Sequence, residues 1–132
     1  MALKQVFLIN NDLKMGKGKI CVQISHATIM YMQKIMVQFP NYKEQPPMVL
    51  RFYDWTAETQ EDPIGMMKKV VLKSTENEMR DMFMKLHSLG IWAYLIFDKG
   101  LTQVAPNNLT CLVIEPLEEE KCNELFGDLK LL

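Results

Sequence analysis

The sequence predicts an α/β domain in which helices cover both faces of a mostly parallel sheet. Three observations carry that expectation. Short apolar runs alternate with helical stretches along 132 residues. Ile91 to Phe97 is apolar throughout, the pattern of a strand buried on both faces. The first apolar run, Val6-Phe7-Leu8-Ile9, leads through Asn10-Asn11-Asp12 into Lys14-Met15-Gly16-Lys17-Gly18-Lys19 and then a helix. Strand, glycine-lysine loop and helix start together form an anion site: glycines let backbone N–H groups approach a ligand, the helix start adds partial positive charge, and lysines add full charges.

Each element follows from local pattern. Residues 4–10 form the first strand. Residues 19–38 form a helix, because Ile20, Ile24, Thr28, Tyr31 and Ile35 share one face. Pro40 and the pair Pro46-Pro47 end it. About 40–66 is a long, irregular, acidic insertion with a short helix or turn around Leu50–Trp55, and excursions of that length are usually functional. Lys69 to Lys73 is a short strand. Thr75 and Glu78 make a capping box, and Met79, Met82, Phe83, Leu86 and Leu89 form a helical stripe stopped at Gly90. After the Ile91–Phe97 strand comes a loop over Asp98 to Asn108, then a strand over Leu109 to Ile114. Pro116 opens a last short helix that has glutamates in its first turn and ends at Gly127.

The totals bound the class. One domain spanning 1–132 is expected, and a chain of this size buries roughly 65–70% of its unfolded surface. No apolar run approaches the ~18 residues of a membrane span, and no export signal opens the chain, so a cytoplasmic protein is expected. Three well-separated cysteines without a CxxC pair, and two distant histidines, argue for a reducing compartment and against a disulfide framework or a zinc site. Neither metal nor cofactor is expected. The net charge of −1 hides +3 over residues 1–20 and −4 over 115–132, so a nucleic-acid partner would need a local basic patch. Most of the eleven methionines fall at helix-core spacing and fill the core.

The glycine-lysine loop lacks the Walker A spacing and is not GxGxxG. A second candidate, Asp98-Lys99-Gly100-Leu101-Thr102-Gln103, lies just past a strand end, where α/β sheets place ligands. If its strand runs parallel to the first, both loops open on one sheet edge, and Lys19, Ser25, His26, Asp98 and Thr102 converge. Taken one at a time, Asp98 and Thr102 would be ordinary turn residues.

The series Lys14-Met-Gly-Lys-Gly-Lys19, Gln23-x-Ser25-His26-Ala27, Lys69-Val-Val-Leu-Lys73, Asp98-x-Gly100-x-Thr102-Gln103-x-Ala105-Pro106 and Gly127-x-Leu129-Lys130-Leu131 resembles the type-2 peptidyl-tRNA hydrolases of archaea and eukaryotes. The resemblance covers the chain except about 40–66. It implies a three-layer α/β/α sandwich on a four-stranded mixed sheet, a homodimer, and cleavage of the ester joining a peptide to the terminal ribose of tRNA without metal or cofactor. Its essential positions fall on Lys19, Ser25, Asp98 and Thr102. The substrate-binding set adds Lys17, Gly18, Gln23, His26, Gln103 and Lys99.

Chemistry assigns the roles. Asp98, oriented by Thr102, positions or deprotonates the attacking water. Lys19 and the helix N–H groups hold the oxyanion or the terminal phosphate, and Ser25 is a positioning group. A Ser25–His26 nucleophile pair is disfavoured, since adjacent helical residues point about 100° apart. Several positions depart from the family. Lys99 replaces a small residue, and Asn107 replaces a glycine but tolerates the left-handed conformation. Glu115 replaces a glycine near the loop edge, and the 40–66 insertion carries −3. A non-catalytic protein-interaction module, with 40–66 as its partner surface, is the alternative reading. A nucleotide-binding domain is a third, opposed by the missing hydroxyl after Lys19.

Overall fold

In the computed structural model, the structure describes residues 2–38, 46–57, 66–99 and 107–132. Strand β1 (Leu3–Asn10) runs into a 3-10 turn (Asn11–Leu13) and then helix α1 (Lys17–Gln38). Helix α2 (Pro47–Thr56), strand β2 (Lys69–Ser74), helix α3 (Glu76–Ser88), strand β3 (Ala93–Phe97) and strand β4 (Leu109–Ile114) follow. The chain closes with β5 (Leu117–Glu118), α4 (Glu119–Phe126) and β6 (Lys130–Leu131).

The fold is mixed α/β. Among the described residues one sheet carries five strands in the order β3-β4-β1-β2-β6, and β5 pairs beside the start of β1. The sheet is therefore larger than the four strands expected, which correspond to β1 to β4. Two-residue strands at the end of the chain extend them, too short for a sequence period to show. The expectation of a mostly parallel sheet is corrected. Only β1–β2 is parallel (Val6 opposite Val70), while β1–β4, β3–β4, β1–β5 and β2–β6 are antiparallel. The short chain between β3 and β4 leaves no room for a crossover helix, so those strands pair antiparallel.

Because β3 opposes β4 and β4 opposes β1, strands β3 and β1 run the same way. Their C-terminal ends, at Phe97 and Asn10, open on one sheet edge, as the two candidate loops require. Strand β3 is not buried on both faces, as its uniform apolarity suggested. It is an edge strand, with Tyr94 42% and Phe97 43% exposed. Its neighbour β4 is interior and buried at all six positions.

Alternation along β1 divides the core. Phe7 and Ile9 pack with Tyr31 and Ile35 of α1 and Trp55 of α2. Val6 and Leu8 face the other way, with Met79 and Leu86 of α3 and Leu125 and Phe126 of α4. The α1 face expected from spacing is the one that packs. The Thr75–Glu78 capping box is formed: the Thr75 hydroxyl accepts from Glu78 N–H at 3.1 Å, and Thr75 N–H donates to the Glu78 carboxylate at 2.8 Å. Pro116 precedes β5, not a helix, and α4 starts at Glu119. Within the 40–66 insertion, α2 is longer than the expected Leu50–Trp55, while residues 39–45 and 58–65, with Glu44, Glu58, Glu61 and Asp62, lie outside the described residues.

Glu115 does not sit near the candidate loops. It follows the end of antiparallel β4, so it lies at the opposite sheet edge. There it is 2% exposed and pairs with Arg51 of α2, and it accepts the Trp92 N–H at 2.8 Å. No described helix is long and apolar enough to cross a membrane.

Candidate active site

Asn10 fixes the end of β1. Its side-chain amide donates to the Leu109 carbonyl at 2.8 Å, and its side-chain oxygen accepts from Asp12 N–H at 3.0 Å. Asp12 in turn accepts from Glu76 N–H at 2.9 Å, at the start of α3. The loop from β1 to α1 is therefore pinned to β4 and α3. Lys14 takes a left-handed conformation (φ 52°), and α1 starts at Lys17, with Ile20 N–H bonded to the Gly16 carbonyl at 3.0 Å. That leaves the first-turn N–H groups of α1 without helical partners, as at any helix start. A Cβ added at Gly18 would meet nothing within 4 Å, so this glycine borders open space.

Lys19, in that first turn, reaches across the sheet edge to Asp98, just past β3. Lys19 Nζ lies 2.6 Å from Asp98 Oδ1, with the residues 7% and 6% exposed. Two charges nearly removed from water require each other, because either alone would carry an uncompensated desolvation cost. The pair joins residues 79 apart in sequence. Asp98 is held by backbone too: its N–H donates to the Asn108 carbonyl at 2.9 Å, and its carbonyl accepts from Asn107 N–H at 2.6 Å. Asn107 has φ 63°, the left-handed geometry expected of it.

Both charged groups line a cavity of about 700 Å³. Its polar side adds His26, Lys99 and Asn107; its apolar wall holds Val22, Ile29 and Met30 of α1 and Tyr94 and Phe97 of β3. Helical period explains the selection, since residues 19, 22, 26 and 29 recur every three or four positions. Ser25 falls off that face. It is exposed on α1 and does not line the cavity, and neither do Lys17 or Gly18. Separation by helical angle also keeps Ser25 and His26 from acting as a pair.

Gln23 is fully buried beneath the site. Its Oε1 lies 2.5 Å from Thr110 Oγ1, which is also 3.1 Å from the Ile96 carbonyl. One hydroxyl proton serves only one of those acceptors. Turning the Gln23 amide makes both contacts donor-to-acceptor, with the amide donating to Thr110 and Thr110 donating to Ile96. Gln23 is thus a strut between α1 and the strands that carry Asp98, not a surface contact for substrate. Thr102 and Gln103 lie outside the described residues. Sequence reasoning missed Thr110 and the cavity wall. Thr110 had a signal, as the one hydroxyl in an otherwise apolar strand; Tyr94 and Phe97 had none, since strand apolarity reads as burial. Among the described residues no three of His, Cys, Asp or Glu cluster in a way that could hold a metal.

Comparison with known proteins gives this site a family. The model of the family described as peptidyl-tRNA hydrolase PTH2 matches residues 3–132. A peptidyl-tRNA hydrolase of Thermococcus sibiricus is 38% identical over 130 residues, covering 98% of this chain and 97% of its own. That of Thermococcus onnurineus is 37% identical over 131 residues, covering 98% and 97%. That of Methanothermobacter thermautotrophicus is 35% identical over 130 residues, covering 98% and 100%. A solved structure of a protein of unknown function from Agrobacterium tumefaciens strain C58 shares the fold, with a TM-score of 0.55 at 11% identity over 100% of this chain and 98% of that one. Matched along nearly its whole length by both the family model and these archaeal relatives, the chain belongs to the peptidyl-tRNA hydrolase PTH2 family.

Proposed function

We propose that this protein hydrolyses the ester between a peptide and the 3′-terminal ribose of tRNA, releasing free tRNA. The observation that carries the reading is the buried Lys19–Asp98 pair in the wall of a half-apolar cavity, in a chain of this family. Ester hydrolysis needs an activated water and a stabilised oxyanion. The Asp98 carboxylate takes the proton from water as its oxygen attacks the ester carbonyl, a contribution of roughly 10²–10⁴-fold. The Lys19 ammonium has three donors, and one is on Asp98 Oδ1. The others face the negative charge that forms on the carbonyl oxygen; losing one such donor costs roughly 3–4 kcal/mol. The tetrahedral intermediate then collapses, breaking the bond to the ribose oxygen, which leaves with a proton.

His26 and Lys99, in the same wall, contact the ribose and its phosphate. Thr102, from the Asp98-x-Gly100-x-Thr102 motif, orients the carboxylate, and Gln103 adds a substrate contact. Ser25, off the cavity face, takes no part in the chemical step, so no acyl-serine forms. No observation favours the alternative of a non-catalytic interaction module.

The test is release of tRNA from an N-acetylated aminoacyl-tRNA by the parent and by Asp98→Asn. The parent turns over, while the variant binds but loses turnover by at least roughly 10²-fold. Near-parental turnover by Asp98→Asn would remove Asp98 as the base.

A further inference from the structure

We infer that the outer edge of β3 takes the peptide part of the substrate as an added parallel strand, so that the protein recognises peptide main chain and not side-chain identity; this rests on the function proposed above. Strand β3 ends the sheet, and among the described residues nothing pairs with its outer side. Residues 91–97 contain no charge and no proline, the usual guards of an exposed edge. The same segment, from Tyr94 to Asp98, lines the cavity that holds Lys19. An unguarded edge leading into a reactive site fits strand addition.

The hydrogen-bond parity says which groups are offered. The Trp92 carbonyl accepts from Glu115 N–H at 3.1 Å, and both main-chain groups of Asp98 bond to residues 107 and 108. Even-numbered residues therefore bond inward, toward β4. In an antiparallel pair the alternate residues face away, so the main-chain groups of Ala93, Leu95 and Phe97 point outward. An ester held at Asp98, with its peptide running back along this edge, lies parallel to β3. With a rise of roughly 3.3 Å per residue, the penultimate peptide residue comes level with Ile96. Its N–H donates to the Leu95 carbonyl, and its carbonyl accepts from Phe97 N–H. Its own side chain shares the face of Tyr94 and Ile96 and falls against the apolar wall of Val22 and Ile29, which offers apolar surface whatever that side chain is.

The test compares two tRNA esters, acetyl-alanyl-alanyl-tRNA and its analogue in which the penultimate alanine is replaced by lactate. The replacement exchanges the N–H for an oxygen and adds no bulk. Loss of one hydrogen bond predicts a kcat/KM lower by roughly 3- to 10-fold for the analogue. Changing that alanine side chain to valine should move kcat/KM by less. Equal kcat/KM for amide and lactate esters overturns the inference alone. Cleavage of neither overturns the hydrolase reading and this inference with it.

Discussion

Replacing Lys19 and Asp98 singly and together separates what this pair does for folding from what it does for chemistry. The two groups sit 2.6 Å apart, with side chains 5% and 7% exposed. Lys19→Met leaves a carboxylate in a place water hardly reaches, and Asp98→Asn leaves an ammonium there. Breaking a buried pair from one side costs about 3–5 kcal/mol, and the lower end applies here because both groups line an open cavity. For a chain of this length, about 3 kcal/mol lowers the melting temperature by roughly 10–15 °C. The double variant carries no buried charge and should recover most of that loss, ending nearer the parent than either single variant. Its hydrolysis should stay absent, because neither the base nor the oxyanion partner returns. Thermal melts followed by circular dichroism, with tRNA release measured on the same samples at a temperature where all four proteins are folded, read both quantities. A double variant less stable than each single one would refute the account of the pair as mutually compensating charges. A double variant that hydrolyses peptidyl-tRNA would refute the catalytic roles.

Three further outcomes follow from other buried groups. At the opposite sheet edge, Arg51→Ala should cost more than Glu115→Ala, about 3 against 1–2 kcal/mol in urea unfolding, because it strands a nearly inaccessible carboxylate whereas the partly exposed guanidinium can turn to water. Among the described residues the Tyr31 hydroxyl is buried without a partner, and burial, with Glu115 adding and Arg51 opposing, holds its pKa well above the ordinary value. The unfolded phenol ionises first, so parental stability should fall as pH rises above about 10. Tyr31→Phe should flatten that fall and stabilise the neutral protein by about 1 kcal/mol. Finally, Cys21 is exposed, whereas Cys111 and Cys122 are buried with their thiol pKa values raised by burial. A thiol reagent such as Ellman's should label one cysteine of the native protein and all three in denaturant.

Most of the secondary structure was legible because its causes are local. The stripe Ile20-Ile24-Tyr31-Ile35, the Thr75–Glu78 box and the strand–loop–helix order are each set within a few residues. The position of Asp98 beyond a strand end was legible for the same reason. Less legible was anything that depended on which strand lies beside which. Ile91 to Phe97 looks like an interior strand, and Leu109 to Ile114 looks much like it apart from Thr110, yet the first ends the sheet and the second lies between it and β1. Nothing local distinguishes an apolar residue that fills a core from one, such as Tyr94, that walls a cavity.

By itself the sequence determined most of the elements, the family and the identity of the charged groups, since helical and strand periods and motif spacing are properties of neighbouring residues. The tertiary structure alone decided partnership. It set Lys19 against Asp98, hung Gln23 on Thr110, put Glu115 with Arg51 at the far edge, and left Ser25 outside the cavity while admitting His26. Those pairings join residues 64 to 87 positions apart. They arise only when strand order and helix rotation are fixed by burial of the core, which is a balance over the whole chain and not a pattern within any segment of it.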